Sequence, residues 1–181
     1  MSIIIETERL ILREPSLDDA ANMLRLHSIP EVQKYTGEEI ITDLETIQNK
    51  ITEILSVDFD LKGYGRWVTI LKETGEYVGW AGLKYLPEFD QTDLGYRILP
   101  EFWGNGIASE ASEAILKYGF ETLKLETIIA IAMPEHKASI RVMEKVGMQF
   151  DKFAPYEPGS PDAIWYQCDH EMILEFTSRS K

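Results

Sequence analysis

The chain has one cysteine, Cys168, in 181 residues, which rules out an internal disulfide and any multi-cysteine metal site. It has no apolar run near the roughly 18 residues needed to span a bilayer. The start, Met1-Ser-Ile-Ile-Ile-Glu6, has no basic stretch and too short an apolar run for a signal peptide, so the expected compartment is the cytosol. Positive charge is scarce: 18 Lys and Arg stand against 31 Asp and Glu, a net charge of −13. That balance disfavours nucleic acid and anionic membranes as partners. It suits a cationic substrate such as an amine, or serves solubility alone. Repeats and low-complexity segments are also missing. The one Pro/Gly-rich stretch, Pro155–Pro161, has the length of a hairpin connection and not of a linker. A single domain over residues 1–181 is expected.

What is present reads as alternating elements. Glu8–Arg13 is a strand rich in Leu and Ile. Ser16 with Asp19 forms a capping box before Leu17, Ala20, Ala21 and Leu24, which recur at helical spacing to His27, and Pro30 ends that run. Thr42 with Glu45 makes a second box before the stripe Leu44, Ile47, Ile51, Ile54 and Leu55, and residues 62–66 read as a loop. Trp67–Leu71 and Tyr77–Tyr85 are strands around the turn Glu73–Glu76, and Asp93–Leu99 extends the meander. Helix Ile107–Leu123, strand Thr127–Met133 and helix Ser139–Val146 follow, the last stopped by Gly147. Met148–Ala154 and Ala163–Phe176 supply the final strands, with Cys168 and His170 on one alternating face of the second, His170 as a core histidine. This order predicts an α+β fold, a mixed sheet with helices on both faces.

Two motifs carry the chemistry. In Pro100-Glu-Phe-Trp-Gly-Asn-Gly-Ile-Ala-Ser-Glu-Ala111, two glycines sit where a loop turns into a helix. Such a corner aims several backbone N–H groups at one spot, at the positive end of the helix dipole, and seats a phosphate. No Lys follows the glycines as a nucleotide-binding P-loop requires. The second motif is His136-Lys-Ala-Ser-Ile-Arg-Val-Met-Glu-Lys-Val-Gly-Met148. Together they resemble the core of the GNAT acetyltransferases, and within them the RimJ/RimL type that acetylates N-termini of ribosomal proteins. Glu6-Thr-Glu-Arg-Leu-Ile-Leu-Arg-Glu-Pro15 is similar to that branch's opening strand, and Leu94-Gly-Tyr-Arg-Ile-Leu99 to the strand feeding the phosphate loop. Two positions depart from the pattern: Glu101 stands where the family has Gln or Arg, and His136 where it has Asn.

The resemblance implies a largely antiparallel sheet of about seven strands and an acetyl-CoA-dependent transfer to a primary amine by direct attack in a ternary complex. The acceptor is a protein or peptide N-terminus or a small amine; the protein is a monomer or homodimer, with no metal. The different-class alternative is a catalytically silent module that binds coenzyme A, which the two departures would favour.

Gly104, Asn105, Gly106, Ile107, Ala108 and Ser109 would hold the pyrophosphate through backbone N–H groups, with the Ser109 hydroxyl added. By the resemblance, the strand through Ile98 and Leu99 splays from its neighbour, and the free N–H groups at those positions hold the pantetheine and the thioester oxygen. His136 would take the Asn role toward the pantetheine amide, or is a loop histidine. Asp93 is the candidate base, or a surface carboxylate at a strand start. Ser139 serves the departing thiolate or only caps its helix. The Tyr found seven residues past the Asn position in many relatives is Met143 here. Tyr35, Tyr64 and Trp67 lie in or beside segments that wall the acceptor groove in relatives, with core packing as the other role for Trp67. A nucleophilic Cys168 is not needed.

Overall fold

The computed structural model describes residues 3–179; Met1, Ser2, Ser180 and Lys181 of the expected domain lie outside them. Among the described residues, eight strands form one sheet: β1 (Ile3–Glu6), β2 (Leu10–Arg13), β3 (Arg66–Leu71), β4 (Tyr77–Leu86), β5 (Gln91–Ile98), β6 (Thr127–Ala132), β7 (Gln149–Pro155) and β8 (Asp162–Asp169). Their order is β1-β2-β3-β4-β5-β6-β8-β7. Only β5 and β6 run parallel, and they pair only at Thr92↔Ile128 and Asp93↔Ile129. Beyond Asp93 the two strands part. The sheet therefore has a wedge-shaped gap in its middle, as the resemblance implied, and one strand more than expected.

Helices cover both faces. On one, α5 (Ile107–Glu121) and α6 (Lys137–Lys145) pack Ile107, Ala111, Ile115, Leu116, Ile140 and Met143 against Leu83, Leu94, Ile98 and Ile128. On the other, α1 (Ala20–His27), α2 (Pro30–Gln33) and α3 (Leu44–Glu53) bury Met23, Leu26, Ile47 and Ile51 against Val68, Tyr77 and Leu99. A third small cluster, Leu86, Ile129, Ala163 and Trp165, joins the β7–β8 hairpin to the sheet. After α3 the helix continues as a π segment over Ile54–Phe59 and a last turn, α4 (Asp60–Lys62), closed by Gly63 with φ +78°. This turn takes Lys62 out of the expected loop.

Two local expectations are corrected. Asp43, and not Thr42, caps α3: its carboxylate accepts the Thr46 N–H at 2.7 Å. A carboxylate at that position also complements the helix dipole. The expected strand Ala163–Phe176 ends at Asp169, whose side chain accepts the Met172 N–H at 2.8 Å and opens α7 (His170–Arg179). His170 is thereby exposed, stacked on Phe120, and is not a core histidine.

Candidate active site

The gap between β5 and β6 opens into a groove of about 1300 Å³ that reaches both faces of the sheet. Strand alternation sorts β5 onto the two sides. Leu94, Tyr96 and Ile98 face α5 and α6; Asp93, Gly95 and Arg97 face the α1–α3 layer.

On the α5 side the loop 103–106 leads to the helix start. Gly104 and Gly106 have φ of +78° and +77°, a left-handed conformation that glycine adopts without strain. Gly106 caps α5 with no side chain, so the first-turn N–H groups of Ile107, Ala108 and Ser109 have no intrahelical acceptor. Space around the Gly104 Cα is open. Arg9 braces the loop, donating to the Asn105 carbonyl at 2.9 Å and to Glu110 at 2.6 Å. Arg9 and Thr7, which also bonds Glu110 at 2.6 Å, were not singled out in the sequence. The departure Glu101 is ion-paired with Arg25 of α1 and so ties this corner to the helical layer.

At the open strand edge, Ile98 and Leu99 differ. The Leu99 N–H donates to the Val78 carbonyl at 2.9 Å, so it is not free, against the expectation for it; its side chain belongs to the α1–α3 core. Alternation turns the Ile98 N–H the other way, toward the gap. The Ile98 carbonyl accepts the Trp103 indole N–H at 2.7 Å, which fastens the glycine loop to the strand. The Ile98 N–H thus faces the wedge.

Ser139, in the first turn of α6, lies half-buried with its hydroxyl 2.8 Å from that of Tyr96. Burial pushes Tyr96 up to about 12. This tyrosine arrives from a neighbouring strand and fills the same side of the site as Met143. The sequence pattern gave no sign of that pairing, because it joins residues 43 apart. His136 stacks on Tyr35 with ring centroids 4.5 Å apart, and burial lowers its pKa. Cys168 is fully buried, and burial pushes its thiol up to about 12, which leaves it inert.

The opposite side is built from charged side chains. Asp93 accepts from Arg66 at 2.5 Å, and the Ile131 N–H faces it too. Burial raises its pKa, opposed by the Arg66 guanidinium. Arg66 also donates to the Gly82 carbonyl at 2.7 Å and lies over Gly95; a Cβ there would come within 2.6 Å of the guanidinium. Trp80 is held between Arg66 and Arg97, 5.2 and 5.1 Å from its ring centre. Arg97 reaches Gln33 (2.9 Å), Glu38 (3.2 Å) and the Nδ1 of buried His27 (3.2 Å). Burial works against ionisation of Glu38, yet Arg97 and then Lys50 take it down to about 2. Tyr35 lines the groove as expected, but Tyr64 and Trp67 do not: Tyr64 is buried with its hydroxyl on Thr92, and Trp67 packs edge-on against Phe59 and Tyr118.

Residues 9–149 match the Acetyltransferase (GNAT) domain family. The chain is 33% identical to the uncharacterized N-acetyltransferase YoaA of Bacillus subtilis over 87% of its own length and 91% of that protein. It is 31% identical to the FsC-acetyl coenzyme A-N(2)-transacetylase of Aspergillus fumigatus, over 86% of this chain and 71% of that one. The crystal structure of a GNAT-family acetyltransferase from Bacillus anthracis superposes with a TM-score of 0.79 at 30% identity, covering 92% of this chain and 98% of that one. The protein belongs to the GNAT acetyltransferases and is an N-acetyltransferase using acetyl-CoA.

Proposed function

We propose that the protein moves an acetyl group from acetyl-CoA to a primary amine, by direct attack of the amine within a ternary complex. The observation that carries this is the pairing of the open α5 N-terminus with the Ile98 N–H at the splayed edge of β5. The residues fit acetyl-CoA: the N–H groups of Ile107, Ala108 and Ser109 suit its pyrophosphate, and His136, which lines the same groove, is the candidate partner of a pantetheine amide. Acetyl-CoA supplies an activated thioester, and the remaining work falls to the chain.

The Ile98 N–H is a fixed donor for the oxygen on which negative charge grows during attack, and such donors act without reorganising. Asp93 lines the groove on the acceptor side; Arg66 keeps it ionised while burial makes it a better proton acceptor than a free carboxylate. It receives the ammonium proton through water. A peptide α-amine, near ~8, asks less of such a base than an alkylamine near ~10. Tyr96 stays protonated and backs the Ser139 hydroxyl, which donates to the departing thiolate.

Within the family, the sequence motifs point to the RimJ/RimL type and so to a protein or peptide N-terminus as acceptor. The ribosomal-protein-S5-alanine acetyltransferase of Vibrio fischeri shares the fold at a TM-score of 0.79 and 17% identity, a likeness of fold alone. The departures at Glu101 and His136 are engaged within the protein, by Arg25 and Tyr35, and give no independent support to a silent binder.

The test is release of free thiol from acetyl-CoA in the presence of N-terminal peptides, spermidine and an amino sugar. Turnover with at least one amine, and initial-rate lines that intersect when both substrates vary, is the expected outcome. Tight coenzyme binding with no turnover across the panel would overturn the reading in favour of a binding module, and parallel lines would overturn direct attack.

A further inference from the structure

Asp58 is buried to 6% exposure, yet among the described residues no hydrogen bond or ion pair to its carboxylate is seen; Lys84 and Arg66 act on it through charge alone. A buried carboxylate ordinarily has partners, because desolvating it alone is costly. Its surroundings are not accidental. Ile47, Ile51, Ile54 and Leu55 form the inward stripe of α3 and its π extension, and Asp58 falls next on that stripe while Val57 and Leu61 are turned to solvent. The π segment Ile54–Phe59 sets this rotation, and such segments recur at functional sites. Among the described residues no group of three His, Cys, Asp or Glu gathers here to hold a metal.

The carboxylate opens onto the groove on the same side as Asp93 and Arg97. Its Cβ lies 3.0 Å from where a Cβ on Gly65 would stand, at the end of a row that crosses the sheet through Gly82 to Gly95. This row has no side chains of its own. The Phe59 ring covers it at Gly65 and the Arg66 guanidinium covers it at Gly95, near the point where β5 and β6 part. Arg66 is already committed to Asp93 and to the Gly82 carbonyl, and Lys84 is exposed beyond it.

We infer that Asp58 is the anionic anchor for a cationic group of the acceptor, seated at the groove's outer end while the amine to be acetylated reaches the wedge. The inference rests on the amine-acceptor reading given above. Burial raises the Asp58 pKa, with Lys84 and Arg66 opposing and Glu53 adding to the rise; neither cation bonds the carboxylate, so an arriving ammonium supplies the direct partner it lacks. The acceptor class is then an amine bearing a second positive charge, such as a polyamine or a peptide with a basic side chain near its N-terminus.

The experiment uses the protein saturated with coenzyme A, so that no turnover is needed, and titrates it with spermidine by calorimetry. Asp58→Asn should weaken spermidine binding by at least about tenfold and leave coenzyme A affinity unchanged, and Asp58→Glu should restore part of the loss. The unaltered protein offers a second reading that no folding defect can obscure: n-butylammonium should bind at least about tenfold more tightly than n-butanol. Equal affinity of the two probes, or spermidine binding undiminished in a folded Asp58→Asn protein, would overturn the inference. Failure of the amine panel to show turnover would instead strike the catalytic reading and leave this binding result standing.

Discussion

On the α5–α6 face of β5, the proposed coenzyme seat is made of main chain: N–H groups at a helix start, the Ile98 amide at an open strand edge, and two glycines in left-handed conformation. On the α1–α3 face the groove is made of side chains, with Arg66 and Arg97 gripping Trp80, Asp93 and Glu38 from either side. Consecutive residues of one strand serve the two systems, Arg97 turned to one and Ile98 to the other. A backbone site constrains few residue types and is the same for every acceptor. A side-chain site can be rebuilt position by position. Under the proposed assignment, the contrast would let the acceptor side change while the coenzyme side stays fixed.

Breaking the side-chain system should cost stability before it costs coenzyme binding. Arg66→Ala leaves Asp93 buried without its cation, and a loss of about 3 kcal/mol or more is expected in urea unfolding. Acetyl-CoA affinity measured in the same protein below its transition should hold. If the two fall together, the faces are not separable.

The same face should also carry a pH signature. Burial, then the cations Arg97 and Lys50, lowers the His27 pKa from 6.5 to about 4. Between those values the unfolded chain holds a proton that the folded one refuses, so stability declines as pH falls from 6.5 to about 4 and is flat above. The full difference is on the order of 3 kcal/mol. His27→Gln should flatten that limb in unfolding curves taken at pH 7 and pH 4.5; an unchanged slope would place the titration elsewhere.

Within the coenzyme face, Ser139→Ala is expected to lower kcat by about a hundredfold with coenzyme affinity little changed, since the thiolate charge develops only toward the transition state. Tyr96→Phe should move kcat in the same direction by less. A loss of stability with kcat intact would reduce Ser139 to a helix residue. The smallest effect concerns Gly106→Val, which puts a branched side chain at a left-handed position beside the phosphate seat. Acetyl-CoA binding should weaken about tenfold, near 1.4 kcal/mol by calorimetry.

Residues whose role is local were legible in the sequence. Gly104 and Gly106 announce a left-handed corner before an amphipathic helix, and most element limits followed from caps and periodicity. The errors were also local and physical. Asp43 outcompeted Thr42 as a cap because a carboxylate both accepts the N–H and meets the dipole. Apolar alternation continues past Asp169 by coincidence, although a helix starts there. What sequence alone did not carry is pairing over distance. Tyr96 with Ser139, Arg97 with Glu38 and Arg9 with Asn105 join segments 43, 59 and 96 residues apart, and no single segment signals its partner. Leu99 shows a finer limit: one residue of register decides whether an amide faces a ligand or a neighbouring strand.

The stacked rings of Tyr35 and His136 span the space between the loop after α2 and the start of α6, joining the walls of the groove proposed for acceptor and coenzyme. A ligand that moves His136 must also release or carry Tyr35, so the two binding events share one mechanical part. Thermodynamic linkage makes such sharing reciprocal: whatever factor the first substrate imposes on the affinity of the second, the second imposes on the first. Coupling of the two proposed sites would then pass through a single aromatic contact, and Tyr35→Ala tests it by removing one ring.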